Sequence, residues 1–293
     1  MKIYLNDRLV DEQQAQVSVF DSGFVLGDGI WEGLRVADGH PAFLEPHLDR
    51  LFEAAAAIVL DVGRDRDQLT RAIYETIAAN SLENDAHLRL MVTRGIRREP
   101  YQDPRLAVGQ ATLVIVPARS PHDPAAAGRG LKLFTVHVRR SAPDAQDPKI
   151  NSHAKFNCIN ACIQANEAGA DEALMLDPHG FVATCNSTHF FIVRRGEVWT
   201  SSGKYCLGGI TRGNVIKICR DHDIPCFERD FSLTDVYGAE EAFVTGTLGG
   251  LTPVRSVDGR PMQSPLPGPV TRRLQSLYAG LVHADVAARR WPG

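Results

Sequence analysis

Two strand-like apolar runs enclose a short polar stretch between Gly169 and Val193, and this segment constrains the fold more than any other. It reads GADEALMLDPHGFVATCNSTHFFIV, with a turn at Pro178-His179-Gly180. The stretch from Ala183 to His189, ATCNSTH, sets small hydroxyl and amide side chains beside the strands. Convergent polar groups in an apolar frame are typical of a ligand site, so we expect this stretch to line one.

The length of the chain predicts two domains. With 293 residues, 44% of them apolar, it can bury roughly 75% of its unfolded surface, but it exceeds the comfortable size of one core. A break rich in Pro, Gly and Ala predicts an interdomain linker at residues 119–130. We therefore expect an N-terminal domain over residues 1–118 and a larger domain over residues 131–293, in an α+β fold.

The charge and the cysteine content limit the cellular compartment and the binding partners that we expect for this protein. The 32 basic and 35 acidic residues give a net charge of -3 without a basic block, so nucleic acid is not an expected partner. We expect a cytoplasmic protein that does not enter a membrane, because neither a signal peptide nor a run of about 18 apolar residues is visible. The spacing of the six cysteines predicts reduced thiols and no metal site.

Hydrophobic periodicity predicts the main helices and strands. Helices are expected at His47–Val59, Asp67–Ser81 and Phe156–Ala168, and from Thr211 onward. Strands are expected at Lys2–Leu5, His87–Thr93, Ala111–Val116 and Leu131–Val138, and as a series from Glu172 to Ser202.

Two turns that combine glycine with threonine form a candidate anion site. The turn GGIT leads into a periodic helix, whose first backbone N–H groups and Thr211 can bind an anion. The turn VTGT offers Thr245, Gly246 and Thr247 after a strand. An ordinary N-cap by Thr211 explains the first turn alone, whereas the two turns together favour a phosphate clamp.

Arginines and one aromatic residue of the first domain are candidates for binding ligands. Arg50 lies on the first long helix, where it either meets an anion or extends into solvent. Arg89 lies on a strand and Arg97 and Arg98 in the following loop, and such guanidinium groups can hold a substrate carboxylate. Trp31 follows glycines, so its ring either projects into a cleft or packs in the core.

Lys149 and Lys155 precede the helix that begins at Phe156. A lysine at a strand-to-helix boundary, in a chain with candidate phosphate turns, can form a Schiff base with an aldehyde cofactor. Solvent exposure is the ordinary alternative for a lysine at the start of a helix.

These segments, in this order, resemble the fold-type IV pyridoxal-phosphate enzymes, the class IV aminotransferases that include branched-chain and D-amino-acid aminotransferases and aminodeoxychorismate lyase. The similarity spans nearly the whole chain and rests on GDGIWEGLRV, PHLDRLFEAA, VTRG, GADEALMLD, GGITR, TGT and GPVTRRLQ. The resemblance implies pyridoxal 5′-phosphate as cofactor and a homodimer. It also implies a small α/β domain and a larger β-barrel-like domain with the cofactor between them.

The resemblance also implies roles for individual residues. The cofactor phosphate is assigned to Arg50, Ile210, Thr211 and Thr247. The substrate pocket is assigned to Trp31, Arg89, Arg97 and Arg98.

Two positions depart from the family pattern. Thr184 stands where the family has the glutamate that keeps the pyridine nitrogen protonated, so we expect a weaker electron sink. Asn151 stands where the family has its Schiff-base lysine. Lys155 matches a place where branched-chain aminotransferases carry a tyrosine near the cofactor's phenolic oxygen, so we expect Lys155 to form the Schiff base, with Lys149 as the alternative.

Three functions remain open at this level. The leading hypothesis is an aminotransferase that moves an amino group between an amino acid and a 2-keto acid, with Lys155 as Schiff-base former and general base. The missing carboxylate at Thr184 favours a lyase or racemase as the alternative. The changes at both Asn151 and Thr184 also allow a cofactor-binding protein that has lost catalysis. The sequence does not fix which amino acid is used, or its hand.

Overall fold

The computed structural model describes residues 1–119 and 128–289, and the chain divides into two compact units. The first unit comprises Met1–His122, Ile150–Ala154 and Val282–Gly293, and the second comprises Asp123–Lys149 and Lys155–Leu281. This division differs from the expected domains in two stretches, since residues 150–154 and the end of the chain belong to the first unit. Most of the expected linker at residues 119–130 lies outside the described residues.

The first unit contains eight strands and three α-helices among the described residues. In chain order these are β1 (Lys2–Leu5), β2 (Arg8–Asp11), α1 (Ser22–Leu26), β3 (Gly29–Ala37), β4 (His40–Pro41), α2 (Leu44–Ala57), α3 (Arg66–Ala79), β5 (Ala86–Thr93), β6 (Ile96–Arg97), β7 (Ala107–Val108) and β8 (Thr112–Arg119). Six of the strands form an antiparallel sheet in the order β2-β1-β8-β5-β3-β4, while β6 and β7 pair separately.

The helices α2 and α3 cover one face of this sheet. Leu48 of α2 and Ile73 of α3 join Leu88 and Leu90 of β5 in one buried apolar cluster. Because side chains alternate along a strand, Arg89 lies on the opposite face from Leu88 and Leu90, as its position in the sequence predicted.

Residues 150–154 join the first unit through backbone pairing with β3. The N–H of Trp31 donates to the carbonyl of Asn151 at 2.9 Å, and the N–H of His153 donates to the carbonyl of Gly29 at 2.9 Å. Ile30 and Ser152 form an antiparallel bridge between these two bonds. The pairing fixes the backbone of a short segment that carries the polar residues Asn151 and Ser152.

The second unit is built on a nine-stranded sheet. Its elements are β9 (Leu131–Thr135), α4 (Pro143–Gln146), α5 (Phe156–Glu167), β10 (Glu172–Leu176), β11 (Val182–Cys185), β12 (His189–Arg194), β13 (Glu197–Thr200), α6 (Ile210–Asp221), β14 (Cys226–Glu228), α7 (Leu233–Tyr237), β15 (Glu241–Gly246), β16 (Gly250–Val257), β17 (Arg260–Pro261) and α8 (Pro269–Ala287), whose last residues belong to the first unit. The strand order is β11-β10-β9-β16-β15-β12-β13-β14, with β17 paired to β16.

The polar stretch ATCNSTH occupies the end of β11 and the turn into β12. The α+β class is confirmed, and the predicted helices are present with ends shifted by a few residues. Helix α2 begins at Leu44 rather than His47, because Pro46 is tolerated in the first turn, where its missing N–H has no helical partner to lose. Among the described helices, none has the length and apolar character needed to cross a membrane.

Candidate active site

A buried carboxylate in the first unit binds two basic side chains of α2. Glu32 of β3 accepts hydrogen bonds from Arg50 at both oxygens, from Nε to Oε1 at 2.8 Å and from Nη2 to Oε2 at 2.6 Å. Nδ1 of His47 lies 2.6 Å from the same Oε2. Glu32 and His47 are each 1% exposed, so the cluster is shielded from water. The spacing of His47 and Arg50 by three residues places both on one face of α2.

Burial and pairing shift the pKa values of this cluster. Burial tends to raise the pKa of Glu32, but hydrogen bonds from His47 and Arg50 outweigh it, so the pKa lies below its ordinary value. Burial lowers the pKa of His47, against the opposing effect of Glu32, and the charges of Arg50 and of Arg289 near the end of α8 lower it further. Glu32 is therefore ionised and His47 neutral near pH 7, with the His47 Nδ1–H donating to Glu32.

The neutral state of His47 predicts a loss of stability on acidification. Because the folded-state pKa lies below the unfolded value of about 6.5, the unfolded chain takes up a proton first as the pH falls. The unfolding free energy should drop from about pH 6.5 downward, by at most about 1.4 kcal/mol per pH unit for this one proton. Urea unfolding between about pH 7.5 and 5.5 checks this. His47→Gln should make the free energy of unfolding depend less on pH, whereas the exposed His283→Gln should not. An equal pH dependence in the wild type and both variants would contradict the assignment of His47 as a buried, neutral histidine.

Trp31 and Arg89 meet on the face of the sheet opposite α2 and α3. The Arg89 guanidinium carbon lies 3.9 Å from the centre of the Trp31 ring, and the indole N–H donates to the carbonyl of Ser152 at 3.2 Å. His87 and Arg35, which are register partners, share this face with Arg89. Burial lowers the pKa of His87, with a smaller effect from the charge of Arg89, and its Nδ1 is buried without a partner among the described residues. The face therefore presents cationic and polar groups to a ligand.

Arg97 and Arg98 lie in different surroundings. The guanidinium of Arg97 is buried and donates to the carbonyls of Tyr101 and Asp103, and its Nη1 lies 3.6 Å from a carboxylate oxygen of Asp28. Arg97 thereby anchors the loop that follows β6. Arg98 is exposed, and its backbone N–H donates to the carbonyl of Leu106 at 3.0 Å.

The two candidate lysines flank Asn151 in the chain. Lys149 is exposed and its backbone N–H donates to Oδ1 of Asp147 at 2.9 Å. Lys155 is half-buried and occupies the N-cap position of α5. Asn151 is only 4% exposed and carries an uncharged amide. Among these three positions, Lys155 is therefore the one that combines an amine with partial burial.

The N-terminus of α6 in the second unit is a candidate phosphate site. Its N-cap is Gly209, which has no side chain to cap the first N–H groups, so the helix start can bind an anion. Ile210 and Thr211 form the first turn, and Oγ1 of Thr211 lies 3.4 Å from the hydroxyl of Tyr278. Helix α6 packs on β15, where Oγ1 of Thr245 is fully buried and has no partner among the described residues. Thr247 follows in the turn after β15.

Gly209 is required by its contact with His189 of β12. A Cβ added at Gly209 would lie 2.2 Å from the His189 Nε2, far inside van der Waals contact. His189 is the register partner of Thr245, so the glycine, the imidazole ring and the two neighbouring strands form one closely packed group.

Gly209→Ala should therefore lower the free energy of unfolding by about 1–3 kcal/mol, the usual effect of overpacking. Gly213→Ala is the matched control, because a Cβ at this position of the same helix meets nothing within 4 Å. The control should gain up to about 1 kcal/mol from its higher helix propensity. Urea unfolding of both variants checks the pair, and equal stabilities would exclude the steric role of Gly209.

Thr184 is a buried, neutral residue on β11. Its hydroxyl donates to the carbonyl of Thr188 at 2.8 Å, so its oxygen keeps only acceptor capacity for a ligand. Glu172 of β10 supports the same turn, since its Oε1 accepts from the Ser187 N–H and from the hydroxyls of Ser187 and Thr188. Burial raises the pKa of Glu172, against these hydrogen bonds. Hydrogen bonds from Thr184 on β11 and to Glu172 on β10 therefore hold this turn in place.

Most of these residues are among those predicted from the sequence, but four of their partners are not. Arg50, Trp31 and Arg89 were expected in the first unit, and the structure adds Glu32 and His47 around Arg50 and His87 beside Arg89. Glu172 behind the Thr184 turn was also missed. For Glu32, His87 and Glu172 the available signal was an ionisable residue inside an apolar strand, and for His47 an ionisable residue on the apolar face of a helix.

Comparison with known proteins gives a consistent result. The family model described as amino-transferase class IV matches residues 29–257. A branched-chain-amino-acid aminotransferase of Pseudomonas aeruginosa is 33% identical over 294 residues, covering 98% of this chain and 94% of the relative. A protein of Methanocaldococcus jannaschii with a provisional name as a branched-chain-amino-acid aminotransferase is 38% identical over 279 residues, or 95% of each chain.

Solved structures agree with the sequence relatives. A branched-chain amino acid aminotransferase solved with pyridoxamine 5′-phosphate superimposes with a TM-score of 0.90 at 27% identity, covering 98% of this chain and 95% of that one. The branched-chain aminotransferase of Thermoproteus uzoniensis with norvaline gives a TM-score of 0.87 at 30% identity, covering 99% and 98%. The fold is accordingly that of fold-type IV. Since the family model covers well over half of the 293 residues, the chain belongs to the class IV aminotransferase family.

Proposed function

We propose that this protein is a pyridoxal 5′-phosphate-dependent aminotransferase that moves an amino group between an amino acid and a 2-keto acid. The observation that carries the proposal is the glycine-lined start of α6, which has no side-chain cap, packed against β15, where the buried Thr245 hydroxyl has no partner in the described part of the chain. Family membership and the pyridoxamine 5′-phosphate in one of the similar solved structures support it.

The donor groups of the chain fit the phosphate end of this cofactor. Backbone N–H groups at Ile210 and Thr211, with the hydroxyls of Thr211 and Thr247, are neutral donors of the kind that binds a phosphate dianion. Arg50 is a further proposed phosphate ligand, because a planar guanidinium suits phosphate oxygens. When bound, the cofactor supplies an aldehyde that accepts the amino group and a ring that withdraws electrons.

Lys155 is our proposed site of covalent attachment, with Lys149 as the alternative. Its ε-amino group would hold the cofactor through the aldehyde and would move the proton at the substrate Cα as general base. The partly buried N-cap position of Lys155 distinguishes it from Lys149, which is exposed.

Thr184 is the proposed partner of the cofactor's ring nitrogen. It can accept a hydrogen bond there but carries no charge, so it stabilises a protonated ring less than a carboxylate does. We expect slower removal of the Cα proton than a glutamate at this position gives. This property favours lyase or racemase chemistry as the second candidate function.

The substrate carboxylates are assigned to cationic residues of the first unit. Arg89, stacked on Trp31, lies on the face of the sheet opposite α2 and α3, and Arg98 follows β6 in the next loop. Arg97 acts mainly by shaping that loop, since its donors bind Tyr101 and Asp103. The names of the relatives make branched-chain amino acids our first choice of substrate.

We further propose a cytoplasmic homodimer. One face of α5 exposes Phe156, Ile159 and Ile163 at helical spacing, with fractional exposures of 72%, 51% and 51%, which fits a contact with a second copy. The six cysteines are free thiols, as expected in a reducing compartment. Sedimentation of the wild type and of Ile159→Glu tests the dimer: a monomeric wild type would exclude it.

Product analysis with L- and D-amino acids tests the proposed reaction. Incubation with L-leucine and 2-oxoglutarate should yield the keto acid of leucine and glutamate in equal amounts. Release of pyruvate and ammonia without an acceptor, from an amino acid with a β leaving group such as serine, would instead identify a lyase, and exchange of the Cα hydrogen with loss of chirality would identify a racemase.

A further inference from the structure

Two cysteines of the second unit meet where α6 ends. Cys219 lies in the last turn of α6 and is fully buried, whereas Cys226, on the strand β14, is half-buried. Helix α6 packs against β14, and the N–H of Ile224 donates to the carbonyl of Cys219 at 2.8 Å, so the chain turns back along the helix. Strand β14 is held in turn by β13, where Val198 is the register partner of Cys226. The backbone therefore keeps the two thiols together.

The two thiol groups form a side-chain hydrogen bond, and the pair is asymmetric. This hydrogen bond lowers the pKa of Cys226, against burial and the charge of Glu228, and the charge of Arg212 lowers it further. The same hydrogen bond and burial raise the pKa of Cys219, although the charge of Arg273 opposes them. Cys226 therefore forms a thiolate more readily, whereas Cys219 keeps its proton and donates it to the sulfur of Cys226.

Arg212 of α6 supplies the positive charge near Cys226. Its guanidinium is buried, and Nη2 donates to the carbonyl of Ser201 at 2.6 Å and to Oε2 of Glu228 at 2.7 Å. Its Nε is buried and has no hydrogen-bond partner in the described ranges. Because the Glu228 side chain is 47% exposed, water screens its charge more than that of the buried guanidinium. A nearby cation and partial exposure are the surroundings of a reactive cysteine.

We propose that Cys219 and Cys226 are an oxidation site, at which hydrogen peroxide converts the two thiols into an intramolecular disulfide between α6 and β14. Cys226 reacts first, because it is the more exposed of the two and has the cation beside it. Cys219 then reacts with the oxidised Cys226, since its sulfur is already in contact with that residue.

The reaction balances in two steps. The Cys226 thiolate attacks one oxygen of the peroxide, so that an S–O bond forms and the O–O bond breaks; the hydroxide that leaves takes up the proton lost by Cys226 and becomes water. The Cys219 sulfur then attacks the Cys226 sulfenic acid, so that the S–S bond forms and the S–O bond breaks; the oxygen leaves as water with the Cys219 proton. The two sulfurs lose two electrons in total, which reduce the peroxide to two water molecules.

This disulfide is reversible by a thiol reductant, as for other transient disulfides of reducing compartments. It ties the last turn of α6 to β14, while the first turn of the same helix is the candidate phosphate site. The oxidation needs no cofactor, so its failure would leave the proposed aminotransferase function untouched.

Peptide mapping of the full-length chain after treatment with hydrogen peroxide tests this site. Trypsin cleaves after Lys217, Arg220 and Arg229. Cys219 and Cys226 therefore fall on separate peptides, which only a disulfide joins. After alkylation of the remaining thiols, the wild type should yield the joined pair, lighter by the two hydrogens lost, and dithiothreitol should separate it.

Substitution of each cysteine separates their roles. In Cys219→Ser, oxidation of Cys226 should stop at the sulfenic acid, which dimedone traps. In Cys226→Ser, neither the joined pair nor a dimedone adduct on Cys219 should form. Cys162→Ser is the matched control, because it removes another half-buried thiol, on α5, and it should leave the joined pair unchanged. In the wild type, Cys226 should be oxidised about threefold or more faster than Cys162, since the gain in thiolate outweighs its lower nucleophilicity.

Any of three results would overturn the inference. They are a peroxide-treated wild type without the joined pair, a dimedone adduct on Cys219 in Cys226→Ser, and oxidation of Cys162 as fast as that of Cys226. If Cys219→Ser does not fold, Cys219→Ala takes its place, because it puts no hydroxyl into the buried position and should also leave the sulfenic acid on Cys226 to be trapped.

Discussion

Replacing Lys155 by alanine is expected to abolish covalent attachment of the cofactor and to lower the rate of amino transfer by at least about 10²–10⁴-fold. The range is that of losing a positioned general base, to which the loss of covalent attachment adds. Lys149→Ala should retain both properties, because Lys149 is exposed and lies on the far side of Asn151 in the sequence.

Borohydride reduction followed by peptide mapping checks this assignment. The label should appear on the peptide that contains Lys155 in the wild type and in Lys149→Ala, and should be absent from Lys155→Ala. A label on Lys149 would reverse the assignment, and an unlabelled wild type would show that the cofactor binds without attachment. Adding Asn151→Lys to Lys155→Ala tests whether an amine at position 151 restores attachment.

Replacing Arg50 by methionine is expected to lower the free energy of unfolding by about 3–5 kcal/mol. Among the described residues, the substitution leaves the ionised Glu32 buried with the neutral His47 as its remaining partner, and an uncompensated buried charge costs that much. Combining Arg50→Met with Glu32→Gln should recover part of the loss, since the remaining buried group is then neutral.

Urea unfolding at pH 7.5 measures these differences. Arg66→Met is the control, because Arg66 forms exposed ion pairs with Asp49 and Glu45 on the same unit and should contribute about 1 kcal/mol or less. If Arg50→Met and Arg66→Met lower the free energy of unfolding by similar amounts, the Glu32 cluster is not the buried charge network described above. A double variant less stable than Arg50→Met alone would contradict the same account.

The elements that the sequence predicted well are those set by local patterns. The stripe of apolar residues on α2 and α3 and the alternation around Arg89 in β5 depend only on helical or strand periodicity. The turn between β10 and β11 follows from Pro178 and Gly180, and the helix start at Gly209 from its glycine pair.

The features that the sequence did not reveal depend on contacts between distant residues. The pairing of residues 150–154 with β3 spans about 120 positions and joins a short segment to the first unit, which no local pattern encodes. The contact of Glu32 with Arg50 is of the same kind, because the carboxylate is on a strand and the guanidinium on a helix. The sequence shows an asparagine at position 151 and a lysine at position 155. Whether the amine at position 155 can bind a cofactor covalently depends on how far its side chain reaches in the folded chain.

The ultraviolet-visible spectrum of the purified protein, recorded with pyridoxal 5′-phosphate and then with L-leucine, tests the aminotransferase function most directly. Our account predicts that the absorbance of the lysine-bound cofactor decays to that of pyridoxamine 5′-phosphate, and that a 2-keto acid restores it. A spectrum of bound cofactor that no L- or D-amino acid converts to the pyridoxamine form would contradict the assignment of this chain as an aminotransferase.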